Sequence, residues 1–303
     1  MWRGRTGLWG WGLYCVAVAW IVIIAGCVSE ALDTREGRQT LAEGRFAPRK
    51  LLQTDADWDM WAAALLNDTD DFFAALEDGA DVNVSLGFEG ACPCTALILS
   101  SDAGNLQIVQ ALISADADLD AATAKGAATA IFAASQKGRS AIVDVLIAAG
   151  ADVEKARSTG ATPLMVAAEN AHAGVVGALL RGGADAGAAD GVGQTALHLA
   201  SMKIGEASRE IAEALIDAGA NIEARDADMW TPLIWAAHFG NVGTFSVLLE
   251  RGADPAVKDA SGGGLEDHIC QCPLVPETAT GLVCPEGGCD SGAADAIAEM
   301  LRS

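Results

Sequence analysis

The side chains with the most chemistry to offer are eight cysteines and four histidines in a chain of 303 residues. Cys92 and Cys94 flank a single proline, Cys270, Cys272, Cys284 and Cys289 gather near the C-terminus, and Cys15 and Cys27 lie in the first 27 residues. Closely spaced thiolates can close disulfides or ligate zinc. The histidines, His172, His198, His238 and His268, stand in no nucleophile or metal pattern: there is no Gly-x-Ser-x-Gly, phosphate loop or His-Glu-x-x-His. No catalytic residue, bound metal or cofactor is therefore expected, and binding is the expected activity.

What would position these side chains is a repeat. A Thr-(Pro/Ala)-(Leu/Ile) triplet begins at Thr95, Thr129, Thr162, Thr195 and Thr231. Small-Ala-Asp or Gly-Ala-Asn signatures end on Asp118, Asp152, Asp185, Asn221 and Asp254, with a leading copy on Asp81; the spacings are 37, 34, 33, 36 and 33 residues. A threonine before Pro163 or Pro232 can cap a helix, and proline at the first helical position loses no hydrogen bond. Apolar residues then recur at helical spacing, as in Leu164, Ala167 and Ala168, and again in Val175, Val176, Leu179 and Leu180. Gly150, Gly183, Gly219 and Gly252 close the second helix of each unit, and the following Asp or Asn can hold a turn. One helix pair cannot bury its apolar face alone, whereas a stack can.

This motif pair at this period resembles the ankyrin repeat. The resemblance spans about residues 57–301 and implies an all-α solenoid of about six repeats plus a C-terminal capping helix. Residues 57–83 form an N-terminal cap repeat, with Trp58, Trp61, Phe72 and Phe73 expected in its core; residues 84–256 form five repeats, and residues 257–303 a cysteine-containing cap that ends in a helix near residues 293–301. Asp116 stands where a capping glycine is expected, and Ala171 where a glycine separates the helices. The fifth unit has about three extra residues near Met202–Arg209, which predicts a longer inner helix or turn. In the family, His198 and His172 occupy places used for structural hydrogen bonds.

The first 27 residues hold Arg3 and Arg5, no acid, and an apolar run from Leu8 through Ala25. That is the layout of a secretory signal or a signal anchor. Ile24-Ala25-Gly26-Cys27 resembles the bacterial lipoprotein signal, in which the cysteine is lipidated and becomes the new N-terminus, so the resemblance makes Cys27 the lipid anchor. The alternative is a retained single-pass helix, since residues 8–28 are long enough to span a bilayer. Residues 28–56 read as a flexible tether, with a typical reach of ~30 Å as coil. Export to the periplasm or cell surface is the expected destination.

Export also bears on the cysteines. Helix layers ~8–10 Å apart place Cys92 and Cys94 far from the C-terminal four, and a disulfide needs Cα atoms within about 7 Å. Cys270, Cys272, Cys284 and Cys289 are expected to pair among themselves, in any of three connectivities. Cys92 and Cys94 pair together, pair with another chain, or stay free. Structural zinc on the C-terminal four is the rival. The formal charge of −22 becomes −24 without Arg3 and Arg5. Such a balance argues against nucleic acid and anionic membrane surfaces.

The expected partner is a protein, held on the exposed strip of inner helices and loop tips that such stacks use. Counting from each threonine gives Leu99, Ala133, Val166, Leu199 and Trp235 as exposed positions, with Asp102, Lys137, Glu169, Met202, Lys203, His238 and Phe239 one turn on. Met229, Trp230, Trp235, His238 and Phe239 concentrate large apolar groups in the sixth unit, the composition of an interface anchor. The expected function is a non-catalytic, exported, membrane-tethered protein-binding scaffold. The alternatives are an intracellular membrane-anchored adaptor and a metal- or redox-responsive module using the cysteines.

Overall fold

The computed structural model describes residues 55–86, 93–124, 126–269 and 291–302. The expected anchor, with Cys27, lies outside them, as do Cys92, Cys270, Cys272, Cys284 and Cys289 and all but the last two residues of the tether. The described residues form paired helices: α1 (Asp55–Leu66) with α2 (Thr69–Glu77), α3 (Ala96–Ala103) with α4 (Leu106–Ser114), and α5 (Ala130–Gln136) with α6 (Ser140–Ala148). Then follow α7 (Pro163–Glu169) with α8 (Ala173–Arg181), α9 (Ala196–Met202) with α10 (Glu206–Asp217), and α11 (Pro232–Phe239) with α12 (Val242–Glu250). A 3₁₀ turn (Leu265–Asp267) and α13 (Ser291–Met300) close the far end. Strands β1 (Ser85–Leu86) and β2 (Cys94–Thr95) pair antiparallel beside the first full repeat.

The repeat chemistry operates as the sequence implies. Thr95, Thr129, Thr162 and Thr231 are extended N-caps, each accepting the N–H three residues on at 3.3–3.4 Å. Removing such a cap costs about 1 kcal/mol. Gly150, Gly183, Gly219 and Gly252 are left-handed, with φ of 90–94°. Asp116 and Ala171 adopt the same backbone conformation at φ 58° each without glycine's freedom. Each signature residue turns the chain by accepting the N–H two residues on, as Asp152 Oδ1 does from Glu154 at 2.9 Å.

Inner helices pack on inner helices and outer on outer along the stack, and α13 packs on α12. One apolar core runs from Met60 through Ile297. Two expectations change. The extra residues of the fifth unit lengthen the outer helix, α10, to 12 residues against 9 in its neighbours, while the turn before it keeps three residues. Glu206 begins α10 and meets the positive end of the helix there. In the cap repeat, Trp61 and Phe72 are buried but Phe73 is 41% exposed, because one residue on from Phe72 turns about 100° away from the core.

Candidate partner-binding face

The hairpin loops that join the repeats are held by a regular set of bonds. Asp190, Asp226 and Asp259 sit at equivalent loop bases, each accepting the N–H groups two and four residues on. Adjacent loops are joined backbone to backbone: Ser158 N–H to Gly126 O, Gly191 to Thr159, Ala227 to Val192 and Ala260 to Asp228, at 2.9–3.2 Å. One place in each loop takes a positive φ. It is filled by Ala127, Gly160, Gly193, Met229 and Gly262. Met229 is thus a large side chain where three sister loops use glycine and the fourth alanine, at φ 62° and 42% exposed. The left-handed conformation costs a residue with a Cβ roughly 1–2 kcal/mol.

Behind Met229 lies an aromatic cluster. The Trp230 ring stands 5.0 Å from His238 and 4.6 Å from His268, Trp235 is 5.6 Å from Phe239 and 5.9 Å from His198, and His238 is 5.0 Å from Phe239. The Trp235 indole donates to Asp226 Oδ2 at 2.9 Å. His198 Nδ1 meets Thr195 N and Oγ1, and its Nε2 meets Trp230 O at 3.1 Å. His268 Nε2 meets Asp259 Oδ2 at 3.0 Å. Burial, opposed by the bond to Trp230, holds His198 below the ordinary histidine value. Burial and then His268 push His238 down to about 4, and its Nδ1 is buried with no hydrogen bond among the described residues. Burial works against the charge of Asp259, but bonds from Ser261, Gly263 and His268 keep its carboxyl below the usual range.

The rings of Trp230, Trp235, His238 and Phe239 lie together, but the members of the set are not equally accessible. Val166, Leu199, Trp235, Phe239 and Ala133, expected on the exposed strip, are buried, and Leu99 is half-buried. Trp235, the fourth residue past Thr231, turns to the base of the hairpin that precedes it, where its indole meets Asp226. Trp230, His238 and Met202 are half-buried, and Met229 is the exposed member. Further along the strip the charges alternate, with Lys137 3.8 Å from Asp102 and Glu169 raised by burial against the pull of Lys203 and Arg157.

Val192 at 42% and Ile204 at 40% exposure were not singled out by sequence, and neither was the Asp259–His268 pair. The spacing of nine from Asp226 to Trp235, repeated from Asp259 to His268, was the available signal. It marks residues 259–268 as the opening of a seventh repeat. The described cysteine, Cys94, is half-buried and its carbonyl accepts the Trp61 indole at 2.8 Å. Among the described residues no group of three or more His, Cys, Asp or Glu could hold a metal.

A family model described as Ankyrin repeats (3 copies) matches residues 60–157, 97–190, 132–226 and 164–259. The chain belongs to the ankyrin repeat family. Its ankyrin stack gives the fold class directly, and proteins of this kind are generally non-catalytic scaffolds for protein–protein interaction. Comparison with curated proteins gives no match.

Proposed function

We propose that this ankyrin protein is an exported, membrane-tethered scaffold that holds a partner protein on the hairpin tips and inner-helix strip of its sixth unit. The observation that carries the reading is Met229, strained and exposed where glycine would be easier. A large exposed side chain kept in a left-handed conformation, where three sister loops have glycine and the fourth alanine, marks function more readily than stability. Trp230 and His238 form the half-buried floor beside it, Phe239 packs against both His238 and Trp235, and Leu199 and Val166 are buried further along the inner helices. Val192, whose carbonyl is bonded to the neighbouring loop, adds a second apolar tip.

Export and tethering rest on Arg3, Arg5, the apolar run and the lipobox-like Ile24–Cys27 stretch, together with an even set of six cysteines beyond it. In this reading Cys27 carries the lipid and the C-terminal four are disulfides. No described helix is long and apolar enough to cross a membrane. The acidic body disfavours nucleic acid.

Two measurements test the two halves. A photo-crosslinking residue placed at 229 in the native cell should give a discrete adduct that Trp230→Ala abolishes, while the same probe at exposed Gln110 gives none; equal labelling from both sites would sink the surface. Intact mass from the native membrane should show a chain starting at an acylated Cys27 with three masked cysteine pairs. A chain starting at Met1 with free thiols would favour the intracellular adaptor.

A further inference from the structure

The first inner helix has a side that nothing else in the described structure covers. Inside the stack each inner helix lies between two others, whereas α1 packs on α2 and α3. Asp55, Asp59, Ala62 and Leu66 follow one another at helical spacing on the outer side of α1, and Leu66 is 38% exposed. α2, which packs on α1, adds Asp70, Asp71 and, at its C-cap, Asp78 to the carboxylates of this end, and burial and then Asp55, Asp71 and Asp78 push the Asp59 carboxyl up. Solenoid ends ordinarily carry a polar cap. This end joins an apolar stripe to a one-sided charge.

The charge has an obvious complement within the chain. Residues 53–124 hold fourteen Asp and Glu and no Lys, Arg or His. Immediately before them, residues 45–52 hold Arg45, Arg49 and Lys50, with Phe46, Leu51 and Leu52 and no acid. Two residues, Gln53 and Thr54, separate this stretch from the start of α1 at Asp55. Residues 51–54 can span up to ~14 Å, and α1 is itself only ~18 Å long. The basic stretch can therefore turn back along it.

We propose that residues 45–50 dock on the outer side of the N-terminal cap, setting Arg45, Arg49 and Lys50 against Asp59, Asp71 and Asp78 and Phe46 against Ala62 and Leu66. Attachment a few residues away gives this segment an effective concentration in the mM range, which a separate partner must match. A second copy meeting the cap face to face would set like charges together. Docking supplies an outer layer on the side of α1 that no other described element covers, and screens its carboxylates.

The test uses the full chain in detergent micelles, an equal mixture of unlabelled and ¹⁵N-labelled protein, and zero-length carbodiimide coupling. Lys50 should become amide-linked to Asp71 or Asp78 within one chain; a link to nearby Asp55 is not counted in either direction. Links of Lys50 only between labelled and unlabelled chains would instead assign the surface to a second copy and overturn the proposal. In a second arm, Arg45→Glu with Arg49→Glu and Lys50→Glu should speed amide exchange across α1 about tenfold, a loss of roughly 1.4 kcal/mol of protection. Adding Asp59→Lys and Asp71→Lys to that variant should restore slow exchange. Unchanged exchange in the first variant, or no recovery in the second, would overturn the docking.

Discussion

Trp235 donates its indole N–H to Asp226 Oδ2 at 2.9 Å, and the other oxygen of the same carboxylate accepts the N–H groups of Asp228 and Trp230. One side chain thus ties an inner helix to the loop that carries Met229. Asp226 is buried, so each bond it makes is shielded from water. Asp226→Ala should lower unfolding stability by about 2–3 kcal/mol, because three donors lose their acceptor. Trp235→Phe should cost about 1–2 kcal/mol, since it strands one acceptor and keeps most of the ring. Urea melts of both variants decide this, and equal losses would contradict it.

Asn241 joins two repeats in a similar way. Its Oδ1 caps α12 through Thr244 N–H at 3.1 Å, and its Nδ2 reaches Ala200 O and Ser201 O at 3.3 Å and also Lys203 O, at the end of α9. Asn241→Ala should destabilise by about 2–3 kcal/mol, combining a lost cap with stranded carbonyls. Asn241→Asp keeps the cap but loses the donor, and should fall between the two. Thermal melts monitored by circular dichroism give the order.

Met229 separates stability from binding. Met229→Gly relieves the left-handed backbone at φ 62° and should raise stability by up to about 1 kcal/mol. The same change should remove partner adducts formed from a crosslinker at neighbouring Asp228. A variant both less stable and still able to bind would deny the residue the role proposed for it.

A missing rung offers a gain. Asn83, Asp120, Glu154 and Glu223 accept the N–H of Asp118, Asp152, Asp185 and Asp254 in the following repeat, at 2.7–3.0 Å. Gly187 occupies the same place before Asn221 with no side chain to offer, and a Cβ there would meet only Asp185 Oδ1, at 3.3 Å. Gly187→Glu should stabilise by about 0.5–1 kcal/mol, through the new bond and a less flexible unfolded chain. A lower melting temperature would mean that Asp185 cannot give way.

The histidines set a pH dependence. His238 falls from 6.5 to about 4 on folding, and His198 is lowered as well. Folded values below the unfolded one favour the neutral ring, so this stability is complete above pH 6.5 and is lost as pH falls towards about 4. Asp102 and Glu169, both raised by burial, act with the opposite sign in the acid range. Comparing wild type with His238→Phe cancels their effect. The variant should lose less stability than wild type between pH 6.5 and 4, and parallel curves would show that His238 is not the group responsible.

Sequence alone determined the stack, because its signals are local and periodic: threonine caps, Pro163 and Pro232, the closing glycines, and apolar spacing that repeats near every 33 residues. It also gathered Met229, Trp230, Trp235, His238 and Phe239 into one unit. Exposure was a different matter. Whether Trp235 faces solvent or a hairpin stem depends on how the neighbouring repeat packs, so Trp235, Phe239, Leu199 and Val166 turned inward while Met229 stayed out. Tertiary structure alone decided that three extra residues lengthen the outer helix α10 rather than the inner helix or the turn, and that, among the described residues, α1 packs on α2 and α3. Which element takes up an insertion, and which helix faces are covered, follows from how helices pack on one another, which no local pattern encodes.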